Sequence, residues 1–174
     1  MRLKNLMLSL VVFASQAMAW DLAYTATIDS GSPRYSLPSE DLTFIYSGPR
    51  SNVRYTATNF IAPFSGLFVF QSVALTNWDN YLVLYRTAFN PAQPLLNALR
   101  ANDNNPTVGT AGFTATLTGG EQYYVVTSAA FNGGGFREAA NTITSAVPEP
   151  ATWMLCTVGI AWCWRRRTKG RVSV

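Results

Sequence analysis

Between Trp20 and Ala146 the sequence breaks into short runs rich in Val, Ile, Thr, Tyr and Phe, separated by clusters of Gly, Pro, Asn and Asp. Such runs suit a pleated, half-buried surface, and the punctuating residues suit tight turns. The predicted strands are Leu22–Ile28, Leu42–Ser47, Val53–Phe60, Gly66–Leu75, Asn80–Phe89, Thr110–Thr118, Glu121–Ala129 and Phe136–Thr144. Only Pro94–Arg100 has helical spacing, enough for a single turn. The pattern predicts an all-β fold, an antiparallel two-sheet sandwich of jelly-roll type. Phe68, Phe70, Leu82, Leu84, Tyr124 and Val126 are the expected core. Residues 81–85 are apolar on both faces, as a central strand requires.

This middle segment must fold by burial and backbone pairing alone, because both cysteines, Cys156 and Cys163, lie beyond it. It also contains no lysine, and its six arginines face eight carboxylates. The net charge of +4 and the pI near 9.3 therefore come from the two ends of the chain. A mildly acidic middle argues against a nucleic-acid partner. Histidine is absent from the whole chain, which removes Ser-His-Asp and Cys-His catalysis and His-ligated zinc.

Residues 1–19 read as a secretory signal peptide, which predicts a signal helix. Arg2 and Lys4 are its positive start, Leu6 to Ala14 its apolar run, and Ala17-Met18-Ala19 its small-x-small cleavage site. The expected partners are the Sec translocon and signal peptidase, and the first mature residue is Trp20.

Residues 147–174 form a second address. Pro148-Glu149-Pro150 holds the chain extended, since proline fixes its own φ and disfavours α in the residue before it. Ala151 to Trp164 is uncharged and reads as a short membrane helix, and Arg165-Arg166-Arg167 stops transfer at the cytoplasmic face. The helix spans about 21 Å, short of the ~30 Å hydrocarbon core, so it suits a transient anchor better than a permanent one. The basic tail runs over residues 165–174.

A Pro-Glu-Pro motif, a short membrane helix and a terminal basic cluster in that order resemble the PEP-CTERM sorting domain. The resemblance implies export by a Gram-negative bacterium that makes extracellular polysaccharide. It implies an inner-membrane precursor cleaved near the motif by an exosortase, and release to the cell surface or matrix. Glu149 and its two prolines would then be recognition elements and not catalysts. Roughly residues 60–137 also look like pre-peptidase C-terminal and CUB-like β-sandwich domains. The likeness rests on Gly66-Leu67-Phe68-Val69-Phe70, Trp78-Asp79-Asn80-Tyr81 with Leu82 to Tyr85, Asn102-Asp103-Asn104, and Gly120-Glu121-Gln122-Tyr123-Tyr124. Those modules are non-catalytic.

Two groups of residues are candidates for a ligand. Asp79 and Asp103 lie in Asn-rich loops whose oxygens suit calcium, the one cofactor these residue types suggest; the same residue types also cap turns. Trp78 and Tyr81, with Tyr85, Tyr123 and Tyr124, offer faces on which sugar rings stack, although in a sandwich such residues also build the core. Glu40-Asp41 are adjacent carboxylates, and neighbours on a strand point to opposite faces, so the pair is a poor glycosidase site. The sequence thus predicts a non-enzymatic structural or carbohydrate-binding protein of the envelope or exopolysaccharide matrix. The rivals are a jelly-roll enzyme using carboxylates and a permanently anchored envelope protein.

Overall fold

A computed structural model describes residues 19–146, which form nine strands: β1 (Asp21–Ile28), β2 (Arg34–Tyr35), β3 (Val53–Ile61), β4 (Gly66–Ala74), β5 (Asn80–Arg86), β6 (Ala98–Asn102), β7 (Thr110–Leu117), β8 (Gln122–Ala129) and β9 (Arg137–Ser145). They make two antiparallel sheets, one in the order β1-β9-β4-β7 and the other β2-β3-β8-β5-β6. Most connections cross from one sheet to the other, which is jelly-roll connectivity with the short β2 added at an edge. The predicted signal helix, Ala17, the sorting motif, the membrane helix and Arg165–Arg167 all lie outside the described residues. Among the described residues no helix is long and apolar enough to cross a membrane.

Alternation decides where each strand looks. In β4, Phe68, Phe70 and Ser72 are buried while Leu67, Val69, Gln71 and Val73 are exposed. The inward set meets Phe60, Leu82, Leu84, Leu117, Tyr123, Val125 and Ile143 between the sheets. Burying each large apolar side chain here contributes about 1.5–3 kcal/mol. Trp20 closes one margin of this core, its ring 5.9 Å from Phe60 and 5.8 Å from Phe68.

A second core lies on the far face of the five-stranded sheet. Tyr81, Val83 and Tyr85 of β5 join Tyr35, Leu37, Val53, Tyr55 and Val126 there. Phe89 and Tyr46, from the connecting segments, pack against it. This covering explains why β5 is buried on both faces, as its composition predicts. The tyrosines enter it with their hydroxyls engaged, Tyr81 donating to the carbonyl of Pro38 at 2.7 Å and Tyr85 to that of Pro94 at 2.9 Å. Both cores lie within Ala19–Ala146, which forms one compact unit.

Some expectations are corrected. Leu42–Ser47 is not a strand; only Pro38 and Ile45 form an isolated bridge. The Ser39 hydroxyl donates to Asp41 Oδ1 at 2.6 Å and accepts the Thr43 and Phe44 amides at 3.0 and 3.1 Å. These local bonds outcompete a ladder, and Leu42 sits at φ 59°. The helical turn at Pro94–Arg100 becomes a turn followed by β6, because Asn97 at φ 64° reverses the chain. Strand β5 ends at Arg86 rather than Phe89, with Thr87 at φ 68°. Tyr124 is half-buried against the second core, whereas the other five expected core residues are buried.

Register fixes which loops share an end. Asp21 pairs with Thr144 at one end of the four-stranded sheet and Ile28 with Arg137 at the other. The two ends of the described chain meet: the Ser145 amide donates to the Trp20 carbonyl at 2.8 Å, and the Trp20 amide to Ser145 Oγ at 2.9 Å. The connections β4–β5, β6–β7 and β8–β9 all lie at the opposite end, together with a 3-10 turn at Gly48–Arg50.

Candidate ligand-binding end

At the loop end, Arg50 organises its neighbours. Its guanidinium carbon lies 4.9 Å from the ring centroid of Tyr46 and 4.8 Å from that of Phe131, so a cation is held between two aromatic rings. Its Nη2 donates to Asp103 Oδ2 at 2.5 Å. Asp103 follows β6 and is buried, so this charge-assisted bond supports a carboxylate that water does not reach. The Asn132 amide donates to the Pro49 carbonyl at 2.6 Å, tying the β8–β9 loop to the turn that carries Arg50.

Asp79 belongs to the same group. Burial raises its pKa above the usual carboxylate range, the negative charge of Asp103 raises it further, and Arg50 offsets part of this. Its backbone carbonyl accepts the Ala130 amide at 2.9 Å, which anchors the start of β5. Asp79 Oδ1 and Asp103 Oδ1 are both buried without a hydrogen-bond partner. The structure therefore brings together the two aspartates singled out from sequence. It also places a guanidinium on one of them. Among the described residues no group of three or more His, Cys, Asp or Glu side chains is arranged to hold a metal.

Trp78 lies in the loop before β5, half-buried, with its indole N–H donating to the Glu138 carbonyl at 3.0 Å. The Arg137 guanidinium lies 6.0 Å from its ring centroid. Gly109, at φ +84°, passes so near that an added Cβ would stand 3.3 Å from the Trp78 carbonyl oxygen. Phe131, Phe136 and Val108 are exposed at the same end, at 45%, 64% and 70%. Tyr81 is a correction: it is fully buried in the second core, its hydroxyl is engaged, and it presents no face to a ligand. Tyr85 and Tyr123 are also fully buried. Glu40 and Asp41 are exposed, and Asp41 serves the turn around Ser39. Ala19 is exposed at the start of the described residues.

Arg50, Tyr46, Phe131 and Arg137 were not singled out from sequence. Their signal was the all-arginine cation set of the middle segment, since guanidinium stacks on rings and pairs with carboxylates where ammonium does so less well.

Residues 146–167 match a family model for the PEP-CTERM protein-sorting motif. The chain carries a PEP-CTERM sorting motif. The PEP-CTERM motif implies an exported protein, made as a membrane-anchored precursor and processed by an exosortase. No curated protein matches the sequence. Among solved structures, the mitogen of Yersinia pseudotuberculosis is similar at 11% identity and TM-score 0.40, over 76% of this chain and 89% of that one. The K3 adhesin domain of Lys-gingipain from Porphyromonas gingivalis is similar at 14% identity and TM-score 0.36, over 70% and 91%. A family 35 carbohydrate-binding module from Clostridium thermocellum is similar at 19% identity and TM-score 0.33, over 70% and 90%.

Proposed function

We propose that this protein is a non-enzymatic, carbohydrate-binding component of the cell surface or exopolysaccharide matrix. In this reading it is exported by the Sec translocon, trimmed after Ala19 by signal peptidase, and released near Pro148-Glu149-Pro150 by an exosortase at the inner membrane. The observation that carries the binding role is the loop end, where exposed Phe131 and Phe136 and half-buried Trp78 stand beside Arg50 and Arg137. Aromatic faces stack on the C–H faces of sugar rings, and guanidinium groups donate to hydroxyls and carboxylates.

Calcium plays no resident part in this reading. The ion takes six to eight oxygens, the aspartates leave two orphan oxygens, and Arg50 already supplies a cation to Asp103. The test is binding of the mature chain to purified host exopolysaccharide, with added calcium and with a chelator. Loss of binding in Phe131→Ala and Trp78→Ala, with the chelator making no difference, is the expected result. Binding that survives both substitutions overturns the placement.

One observation favours a catalytic alternative, since Asp79 has a raised pKa beside a second carboxylate and glycosidases use such pairs. Its burial stands against a reacting role, as Asp79 Oδ1 is closed to solvent. Polysaccharide cleavage that disappears in Asp79→Asn decides for the enzyme.

A further inference from the structure

Each sheet has two edges, and those formed by β7 and β6 are blunted. On β7, Gly112 is capped from both sides: its amide donates to Asn102 Oδ1 at 2.9 Å and its carbonyl accepts Asn105 Nδ2 at 2.8 Å. Strand β6 carries Arg100 and a register shift against β5, while β2 is only two residues long and covers only Val53 and Arg54 of β3. Short strands, irregular register and charge all discourage pairing with another chain. Strand β1 is neither short nor irregular, and its one charged residue, Asp21, stands at its start. It runs eight residues as Asp-Leu-Ala-Tyr-Thr-Ala-Thr-Ile, with no proline, lysine or arginine, and stays in unbroken register with β9.

The hydrogen-bond phase of β1 follows from Trp20, whose carbonyl accepts the Ser145 amide one step before the register begins. Bonded pairs alternate along an antiparallel ladder, so Leu22, Tyr24 and Ala26 face β9. Asp21, Ala23, Thr25 and Thr27 therefore point their amides and carbonyls away from the sheet. No hydrogen bond among the described residues uses the outward groups of Ala23, Thr25 or Thr27.

We propose that β1 is a self-association edge whose occupant is β1 of a second copy, paired antiparallel across a two-fold axis at Tyr24. The phase permits this register, because Ala23 then exchanges both bonds with Thr25 of the second copy and Asp21 with Thr27. The strand's one charged side chain, Asp21, then faces a threonine, so no like charges meet. Side chains at these positions are small and exposed, so nothing on the strand's outer face obstructs the seam. The result is one continuous eight-stranded sheet. A seam of one strand buries less than the ~800 Å² per partner of a standard interface, so pairing is expected to be weak and reversible, near 100 µM in order of magnitude.

The test uses the chain from Trp20 to Ala146, with light scattering across a concentration series on either side of that value. The wild type should move from monomer to dimer, and Thr25→Lys, which puts an ammonium on an exposed position of the edge, should stay monomeric with unchanged circular dichroism. Directly opposed bonded residues lie ~5.5 Å apart at Cα, within disulfide range. The segment has no cysteine of its own, so a mixture of Ala23→Cys and Thr25→Cys chains should form a mixed disulfide several-fold faster than either chain alone. A wild type that stays monomeric overturns the proposal, as does a dimer that persists in Thr25→Lys or a disulfide with no preference for the mixture.

Discussion

Arg50 donates to Asp103 at 2.5 Å while Tyr46 and Phe131 flank its guanidinium. The side chains of this ion pair are 20% and 5% exposed, so the carboxylate is the partner that depends on it. Removing one member of a buried pair strands the other. Arg50→Ala is expected to cost about 3 kcal/mol, at the low end for such pairs because Arg50 still reaches water. Chemical denaturation of Arg50→Ala, Asp103→Asn and the double variant reads the coupling directly. The double variant should be more stable than Arg50→Ala alone.

Asp79 gives the loop end a pH signature. A carboxyl whose folded pKa is raised stabilises the fold below its unfolded value, and that contribution fades as pH rises through the folded one. Asp79→Asn removes the titration. Thermal scans should show the variant gaining on the wild type as pH climbs from the acid side of the carboxylate range toward neutrality. A difference independent of pH would assign the raised pKa to another group.

The alternation in β4 predicts a sharp contrast between neighbours. Phe70 is 1% exposed between the sheets, and Phe70→Ala should cost about 3–5 kcal/mol. Val69 is 38% exposed on the outer face of the same strand, and Val69→Ala should stay within about 0.5 kcal/mol. Urea midpoints of the two variants check both.

Tyr85 carries a buried bond that aromatic packing alone does not explain. Its hydroxyl donates to the Pro94 carbonyl and so pins the β5–β6 connection over the second core. Tyr85→Phe keeps the ring and orphans the carbonyl, at a cost of about 1–3 kcal/mol. Limited proteolysis should open the 87–97 segment before the sheets.

The sorting motif predicts a mass. Protein recovered from the surface of the native host should lack Cys156, Cys163 and the Arg165–Arg167 cluster, and Glu149→Ala should accumulate a heavier membrane-bound form. Intact-mass spectrometry separates the two.

Strands with clear alternation or continuous β-branched runs were legible from sequence. For β1, β3, β4, β7, β8 and β9 the predicted boundaries fall within one residue of the observed ones. Where side chains bond to nearby backbone the reading failed, as at Ser39 and Asp41, because composition does not reveal that competition. The turn at Asn97 was missed for a related reason, since a left-handed asparagine leaves little mark on hydrophobic spacing. The candidate site was half legible. Trp78, Asp79 and Asp103 do converge on one end, but Tyr81 faces the second core, and a tyrosine's direction depends on the register of the segment that covers it. Arg50 lies 53 residues from Asp103, and no local pattern announces a pairing at that separation.

The meeting of Trp20 with Ser145 makes the domain a one-handled object. Any copy held through the residues after Ala146 is held by that end, with the aromatic rim a strand's length away. The β1 seam runs its two strands in opposite directions, so a dimer carries its two handles at opposite ends of the seam.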